Sequence, residues 1–464
     1  MQMILQRTAL VFLVAVTTTA AHAQCHPAPH SNLGCEFYAI TLPNSLVDQS
    51  SFNFGVRALN PSSSVTANLQ ISGGSLVTPL IVPVSPGVAI DQALPWVTLL
   101  SSATDTSLVT GAAYHLVSDM PVSVLQLNPD ANSAQSSDAT LLMPVQNSGT
   151  SFFANTWPEW DFFGTDLPAQ VGIVATQATT TVQVTAQNLQ SGAGLTSTGG
   201  SVVMDAGDVL ILSSTLTPSV DISGTQISSS APVVVFAAHA GTFVPSNTGY
   251  GDHLEDLLQP TSEIGEDYLL LRPSDPSGGN GAKEYVKLTG TIDNTNLIFD
   301  PTPGGAPTSL NAGVSYAFEA TADVHIAADH PIVVSQFMEG SSAFVGNINN
   351  LGDPSQLTSI PSNRGALAID FIAPSAFASI YAQVIAPTGA VVTIDSSPVS
   401  GWQAIGSSGY SGANVLLCCT DVHHASATQP MTLSVYAYPS SSSTSFWYAA
   451  GWGPSDDIFG DGFE

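Results

Sequence analysis

Tyr114-His115-Leu116-Val117-Ser118-Asp119-Met120-Pro121-Val122-Ser123-Val124-Leu125-Gln126 decides the fold, because the chain writes it four times. The second copy runs from Asp221-Ile222-Ser223 through Ala231-Pro232-Val233-Val234-Val235-Phe236. The third is Asp323-Val324-His325 through His330-Pro331-Ile332-Val333-Val334, and the fourth Asp421-Val422-His423-His424 through Gln429-Pro430-Met431-Thr432-Leu433. The prolines stand 111, 99 and 99 residues apart. This pattern predicts a strand, a polar turn, then a second strand opened by proline, where a missing N–H costs no ladder bond. The β-branched run that follows predicts burial on both faces.

A second element trails three of the copies. It runs from Asp138 to Leu141 and Pro144, from Asp252 to Leu257 and Pro260, and from Asp353 to Leu357 and Pro361. A glycine comes next (Gly149, Gly265, Gly365), then an aromatic strand such as Phe152-Phe153 or Tyr268. The segment 252–258 has room for one helical turn. Elsewhere Thr180-Thr181-Val182-Gln183-Val184-Thr185 alternates polar and apolar, the mark of a half-buried strand. Turn pairs such as Gly73-Gly74 and Gly199-Gly200 punctuate the chain. No long 3.6-residue period is found.

The expected architecture is therefore all-β, with four tandem repeats of about 100 residues and roughly seven strands each, the size of a β-sandwich. A large-bladed, propeller-like closed array is the alternative. The similar aromatic strands at 37–42 and 446–448 fit ring closure in either case. The expected divisions are a leader at 1–23, repeats at 24–144, 145–260, 261–361 and 362–453, and an acidic tail at 454–464.

Composition narrows function. Of 464 residues, 44% are apolar and 9% charged, with 35 acidic side chains against 6 basic and a net charge of -29. So few cations cannot form a phosphate-binding groove or hold an anionic membrane. Arg7, the apolar run 9–16 and Ala21-His22-Ala23 read as a cleaved secretory signal. The run is too short to span a bilayer. The expected address is secreted, or the outer surface of a Gram-negative bacterium.

Cys25, Cys35, Cys418 and Cys419 make an even count, which in an exported chain reads as disulfides. The reading favours at least one bridge between the chain ends; the alternative is Cys25–Cys35 with a vicinal pair.

At these motifs the chain resembles a known family. Ser137-Asp138-Ala139-Thr140-Leu141-Leu142-Met143-Pro144 with Trp157-Pro158, Gly251-Asp252-His253-Leu254-Glu255-Asp256-Leu257-Leu258-Gln259-Pro260, and Gly352-Asp353-Pro354-Ser355-Gln356-Leu357 resemble the N-terminal domain family of IgG Fc-binding protein. The resemblance covers roughly residues 50–440. It implies a secreted, non-catalytic adhesion or binding module for an extracellular protein or glycoprotein, and no residue set for Fc binding carries over. Family members often have a cysteine before the Asp-His-Leu run, where Tyr250-Gly251 stands here. The end Ile458-Phe459-Gly460-Asp461-Gly462-Phe463-Glu464 resembles a C-terminal tag of exported gammaproteobacterial proteins.

Three site readings follow from the residues. Asp252, Glu255 and Asp256 around His253 form the densest ionisable cluster, suited to a calcium ion or to acid/base work. A recurring Asp ahead of a short turn also suits a cap that accepts backbone N–H bonds. Trp157 and Trp160, with Phe162 and Phe163, offer faces for a sugar. His325 and His423 align from the preceding Asp-Val, and recurrence in strands favours packing over metal binding. No G-x-S-x-G, H-E-x-x-H or P-loop motif is present. A calcium-dependent lectin, a hydrolase at His253 and a structural surface component remain the rival readings.

Overall fold

The four repeat prolines lie inside continuous strands, not at turns. In the computed structural model the copies are single strands of 15 to 17 residues: Tyr114–Asn128, Gln226–Thr242, Val324–Met338 and Val422–Tyr438. The structure describes residues 25–453 apart from 26, 45–53, 63, 101, 103–104, 130–135, 159, 163, 247, 276–281, 344–350, 375–376, 378, 419 and 439–444. The signal segment, Cys419 and the acidic tail lie outside the described residues. The strand–turn–strand expectation is corrected for a physical reason. Proline interrupts the ladder, and the chain meets the gap with a bulge that bends the strand without ending it.

The bulge is the same each time. Gly34 pairs with Val122 and Glu36 with Val117, so two steps on the short strand match five on the long one. Gly149 to Ser151, Gly265 to Asp267 and Ala366 to Ala368 repeat that mismatch. Before the bend each long strand pairs with one set of neighbours, and after it with another. In the third unit Val324–Ala328 pairs with Gly265–Leu270 and Thr295–Asp300, while Ile332–Met338 pairs with Glu284–Gly290 and Gln356–Thr358. One strand thus serves both layers of a curled sheet, as in sandwiches whose corners are made by bending strands.

Seven strands recur per unit. The third unit contains Gly265–Leu270, Glu284–Gly290, Thr295–Asp300, Ser309–Leu310, Ser315–Ala320, Val324–Met338 and Gln356–Thr358. The four large sheets hold seven, eight, seven and eight strands, and Trp160–Phe162 with Thr165–Leu167 forms a separate two-stranded sheet. The eighth strand is a short addition: Ser107–Val109 on the edge of Val209–Ser213, and Gln403–Ala404 on Tyr410–Leu416. No α-helix occurs among the described residues, and none is long and apolar enough to cross a membrane. Residues 252–258 form a strand against Val235–Thr242, not a helical turn.

The recurring glycine has a steric cause. A Cβ at Gly34 would sit 2.2 Å from Pro144 Cβ; at Gly149 and Gly265 it would sit 2.5 Å from Pro260 and Pro361. The end of each of these three units folds back onto the unit's own first strand, and only hydrogen fits there.

The units close into a ring. Asp138–Leu141 touches Asp252–Leu258 on one side and Phe446–Gly451 on the other, and Gln356–Thr358 touches the same two strands. The first and fourth units share a buried apolar cluster that includes Phe37, Tyr114, Leu125, Phe371, Tyr436 and Trp447. The architecture combines both sequence expectations: sandwich-like curled units in a closed four-unit array. No cystine joins the ends through Cys25 or Cys35, which pair with each other, with Cα atoms 6.1 Å apart. That corrects the expected end-to-end bridge. Ten residues bring the two sulfurs together locally, and apolar packing closes the ring. Cys418 is exposed.

Candidate functional site

Each unit sends its last strand to the ring axis, and the chain's densest set of buried ionisable groups collects there. Asp138 is the centre of it. Its Oδ1 accepts from Ala139 N (2.9 Å) and Trp447 N (3.4 Å), and its Oδ2 from Glu255 N (3.1 Å) and Gln356 N (3.1 Å). The four donors come one from each unit. They are equivalent by register: each lies opposite the residue six past its long-strand proline, namely Leu127, Ala238, Phe337 and Tyr436. One carboxylate therefore takes the same N–H from all four units.

The register assigns the other positions. Asp138 itself matches Leu254, Ser355 and Phe446, so a single carboxylate stands at this level. Asp252 and Asp353 match Ser136, two residues further out. The sequence alignment of Asp138 with Asp252 and Asp353 is corrected accordingly; it slips because motif spacing to the following Leu and Pro varies between units. The expectation that a recurring Asp accepts backbone N–H bonds holds for Asp138, across units instead of within a turn.

Burial pushes the Asp138 carboxyl well above the ordinary range, and the backbone N–H bonds oppose that shift. Both oxygens face donors, and a proton on either would have no acceptor. The hydrogen-bond geometry thus suits the ionised form. At the outer level Asp252 Oδ1 accepts from Ser137 N (2.9 Å) and its own His253 N (2.8 Å). Asp252 Oδ2 and Asp353 Oδ1 find no hydrogen-bond partner. Burial raises both pKa values well above normal, and for Asp252 the charge of Asp353 adds to it. At the inner level Asp256 accepts from Thr140 Oγ1 (2.6 Å), Leu257 N (2.8 Å) and Thr358 N. Burial lifts its pKa to about 7.

The three carboxylates read as calcium ligands thus engage three different sets of partners. Glu255 turns to Asn128 Nδ2 (2.8 Å), Gln126 Nε2 (3.2 Å) and His253 Nε2 (3.2 Å). Among the described residues no three His, Cys, Asp or Glu side chains form a group that could hold a metal. His253 is fully buried, within the wall of the axis.

The aromatic candidates divide. Trp157 is buried, donates Nε1–H to Phe243 O (2.8 Å), and packs on Tyr285 and Phe337 at the seam between the second and third units. It is core, not a sugar platform. The side chains of Trp160, Phe162 and Phe163 lie outside the described residues. The strand histidines pair with carboxylates on the unit faces: His115 with Glu36 (2.8 Å), His325 with Asp267 (2.7 Å) and His424 with Asp370 (2.7 Å). All three stand six residues before a long-strand proline, so His424, not His423, is the counterpart of His325. The extra residue in the fourth copy moved the alignment by one.

Every described cation is committed as well. Arg57 pairs with Asp91, Arg272 with Asp323, Lys283 with Glu319, Lys287 with Asp221 and Arg364 with Glu263. Lys287 also donates to Thr156 O (2.7 Å) across the seam between the second and third units. Sequence reading missed this use of charge because the ion-pair partners lie 34 to 101 residues apart.

A family model described as IgGFc binding protein matches residues 138–437. The human IgGFc-binding protein is 26% identical over 338 residues, which cover 69% of this chain and 6% of the human protein. The chain therefore spans a small fraction of that relative's length. No solved structure matches.

Proposed function

The chain belongs to the IgGFc binding protein family, and from that premise we propose that it is an exported, non-catalytic binding protein. Its ligand is an extracellular protein or glycoprotein, held by loops carried on the rigid four-unit ring. One observation carries the reading. The groups that would do chemistry are spent on structure: the axial carboxylates accept backbone N–H bonds between units, and all described Lys and Arg are ion-paired. What faces outward is mostly hydroxyl, amide and small apolar surface on β strands, which suits recognition. The leader-like segment 1–23 and the C-terminal run support export, and a Gram-negative source is part of the same proposal.

Binding of the purified chain to immunoglobulin Fc, mucin-type glycoproteins and a glycan panel, with calcium and with chelator, tests it. Saturable, calcium-independent retention of a protein or glycoprotein is the expected result. Turnover of any ester, peptide or glycoside that vanishes in His253→Ala would sink the non-catalytic reading. Calcium-dependent carbohydrate recognition is the second reading, favoured by the unpartnered buried oxygens of Asp252 and Asp353. Retention lost with chelator would move the proposal there.

A further inference from the structure

The four units differ most at one sheet edge. Val209–Ser213 in the second unit, Ser315–Ala320 in the third and Tyr410–Leu416 in the fourth occupy the same place, on the outer side of the strand that pairs with the long strand after its bend. In the second unit Ser107–Val109 covers that edge antiparallel, with Ser107 opposite Ile211 and Val109 opposite Val209. In the fourth, Gln403–Ala404 covers it, again antiparallel. In the third unit nothing among the described residues pairs with the outer edge of Ser315–Ala320. The reason lies in the connections. The second unit's loop reaches only Gly313, which its Gly224 touches, and stops short of the strand.

The edge is ready to pair. Gly290 N donates to Val314 O (3.1 Å), so residues 314, 316, 318 and 320 face the neighbouring strand. The N–H and C=O groups of Ser315, Ala317 and Glu319 then point outward. Ala317 is exposed. A cavity of about 640 Å³ borders the edge, walled by residues 301–305 on one side and 316–322 on the other. Unpaired edges of this kind accept an extended chain as an added strand.

We infer that the outer edge of Ser315–Ala320 takes up an extended segment of a partner protein as an antiparallel strand, one built of small or β-branched residues and carrying a basic side chain. The strand chemistry is argued from the molecule itself, which fills the matching edge with Ser107-Leu108-Val109 and with Gln403-Ala404. The basic residue is argued from charge. Glu319 is one of the residues whose backbone groups point outward, so its side chain lies on the sheet face beside any residue paired with it, and the Glu339 carboxyl nearby has its pKa lifted to about 7 by burial and by Glu319. Lys283 is the one cation paired there (2.5 Å from Glu319), in a chain of net charge -29. In the register of the second unit, the residue at position 105 of the covering segment falls opposite Glu319. The inference goes beyond the proposed function, because it fixes a surface and a mode of recognition that the Fc, mucin and glycan panel does not probe.

The test uses the full chain and two synthetic peptides copying residues 105–111, one natural and one with Asp105→Lys. The lysine peptide is expected to bind saturably and at least tenfold more weakly to Ala317→Pro, which removes an outward N–H at an edge position that tolerates proline. Glu319→Lys leaves the backbone untouched; it should reverse the preference between the two peptides. Hydrogen exchange should show the Ala317 and Glu319 amides slowed by the peptide, with Tyr316 and Phe318 already protected without it. Absence of binding of either peptide at millimolar concentration would overturn the inference, as would equal binding to all three chains. So would protection, in place of 315–319, of Ala89–Leu94, the matching strand of the first unit, whose outer edge also lacks a partner among the described residues. Each of these outcomes leaves the binding panel of the proposed function unaffected, so the two readings fail separately.

Discussion

Asp138 and Asp353 are both buried carboxylates near the head of a short axial strand, and they meet opposite surroundings. Asp138 faces four backbone N–H groups, one from each unit. Asp353 keeps one oxygen without a donor and shares its level with Asp252, which has an unpartnered oxygen of its own. The difference teaches what a fourfold axis does with charge. Four convergent N–H groups concentrate positive partial charge on the axis, and one carboxylate satisfies all of them. A second carboxylate at the same level would bring only repulsion, so Leu254, Ser355 and Phe446 occupy the matching positions. Two residues further out, the N–H groups of Ser137 and His253 reach Asp252 Oδ1. There a pair of carboxylates finds too few of them, and burial favours protons on the pair.

The sharpest way to break this comparison is to empty its centre. Asp138→Ala would leave buried N–H groups of four units unsatisfied at once. A loss of about 3–5 kcal/mol is expected by chemical denaturation, enough to prevent recovery of folded protein. Asp138→Asn should fall between, because its amide nitrogen must face two of those N–H groups. If Asp138→Ala unfolds at the same denaturant concentration as the native chain, the ring is held without its axle. The outer pair should answer with the opposite sign. The Asp252 and Asp353 pKa values are raised in the folded state, so the stability they contribute is complete below the unfolded value of about 3.8. It is lost as pH rises through the folded values. Asp353→Asn, which relieves the repulsion, should be neutral near pH 4 and stabilise by about 1–2 kcal/mol at pH 8. Denaturant midpoints of both proteins across that range measure it. A destabilised Asp353→Asn at pH 8 would show that the pair is held by something other than protons. A melting temperature that calcium raises in the native chain and not in the variant would identify that something.

The two levels were not equally legible in the sequence. Four prolines with β-branched runs gave the repeat, because a bend between layers needs a residue that lacks N–H at a fixed place. The recurring Gly149 and Gly265 were visible too, but the close approach of Pro260 and Pro361 that excludes a side chain there was not. The axis was not. Asp138, Asp252 and Asp353 look alike when aligned on the leucines and prolines that follow them. Only the ladder register separates Asp138, opposite Asn128, from Asp353, two residues ahead of Ser355. Register follows from the ladder pairing with each long strand, and the varying spacing from each Asp to the Leu and Pro after it hides that pairing in the sequence. The same holds for Trp157: its aromatic neighbours in sequence suggested an exposed cluster, while Tyr285 and Phe337, which bury it, lie more than a hundred residues away.

Asp256 gives the finest test, because it stands between the two cases, with three donors and a pKa near 7. Thr140 Oγ1 is one of those donors and also accepts from Leu257 N (3.0 Å). Thr140→Val keeps the shape and removes the hydroxyl. Leu257 N retains Asp256 Oδ1 as its acceptor, so the loss at low pH should be small, about 1 kcal/mol or less. The hydroxyl favours the charged carboxylate, so its removal raises the folded pKa of Asp256 further. The penalty must then grow as pH passes about 7, where the native Asp256 ionises and the variant resists doing so. Stability curves of the two proteins between pH 5 and 9 should diverge in that window. Curves that stay parallel would mean that Asp256 holds one protonation state throughout that window.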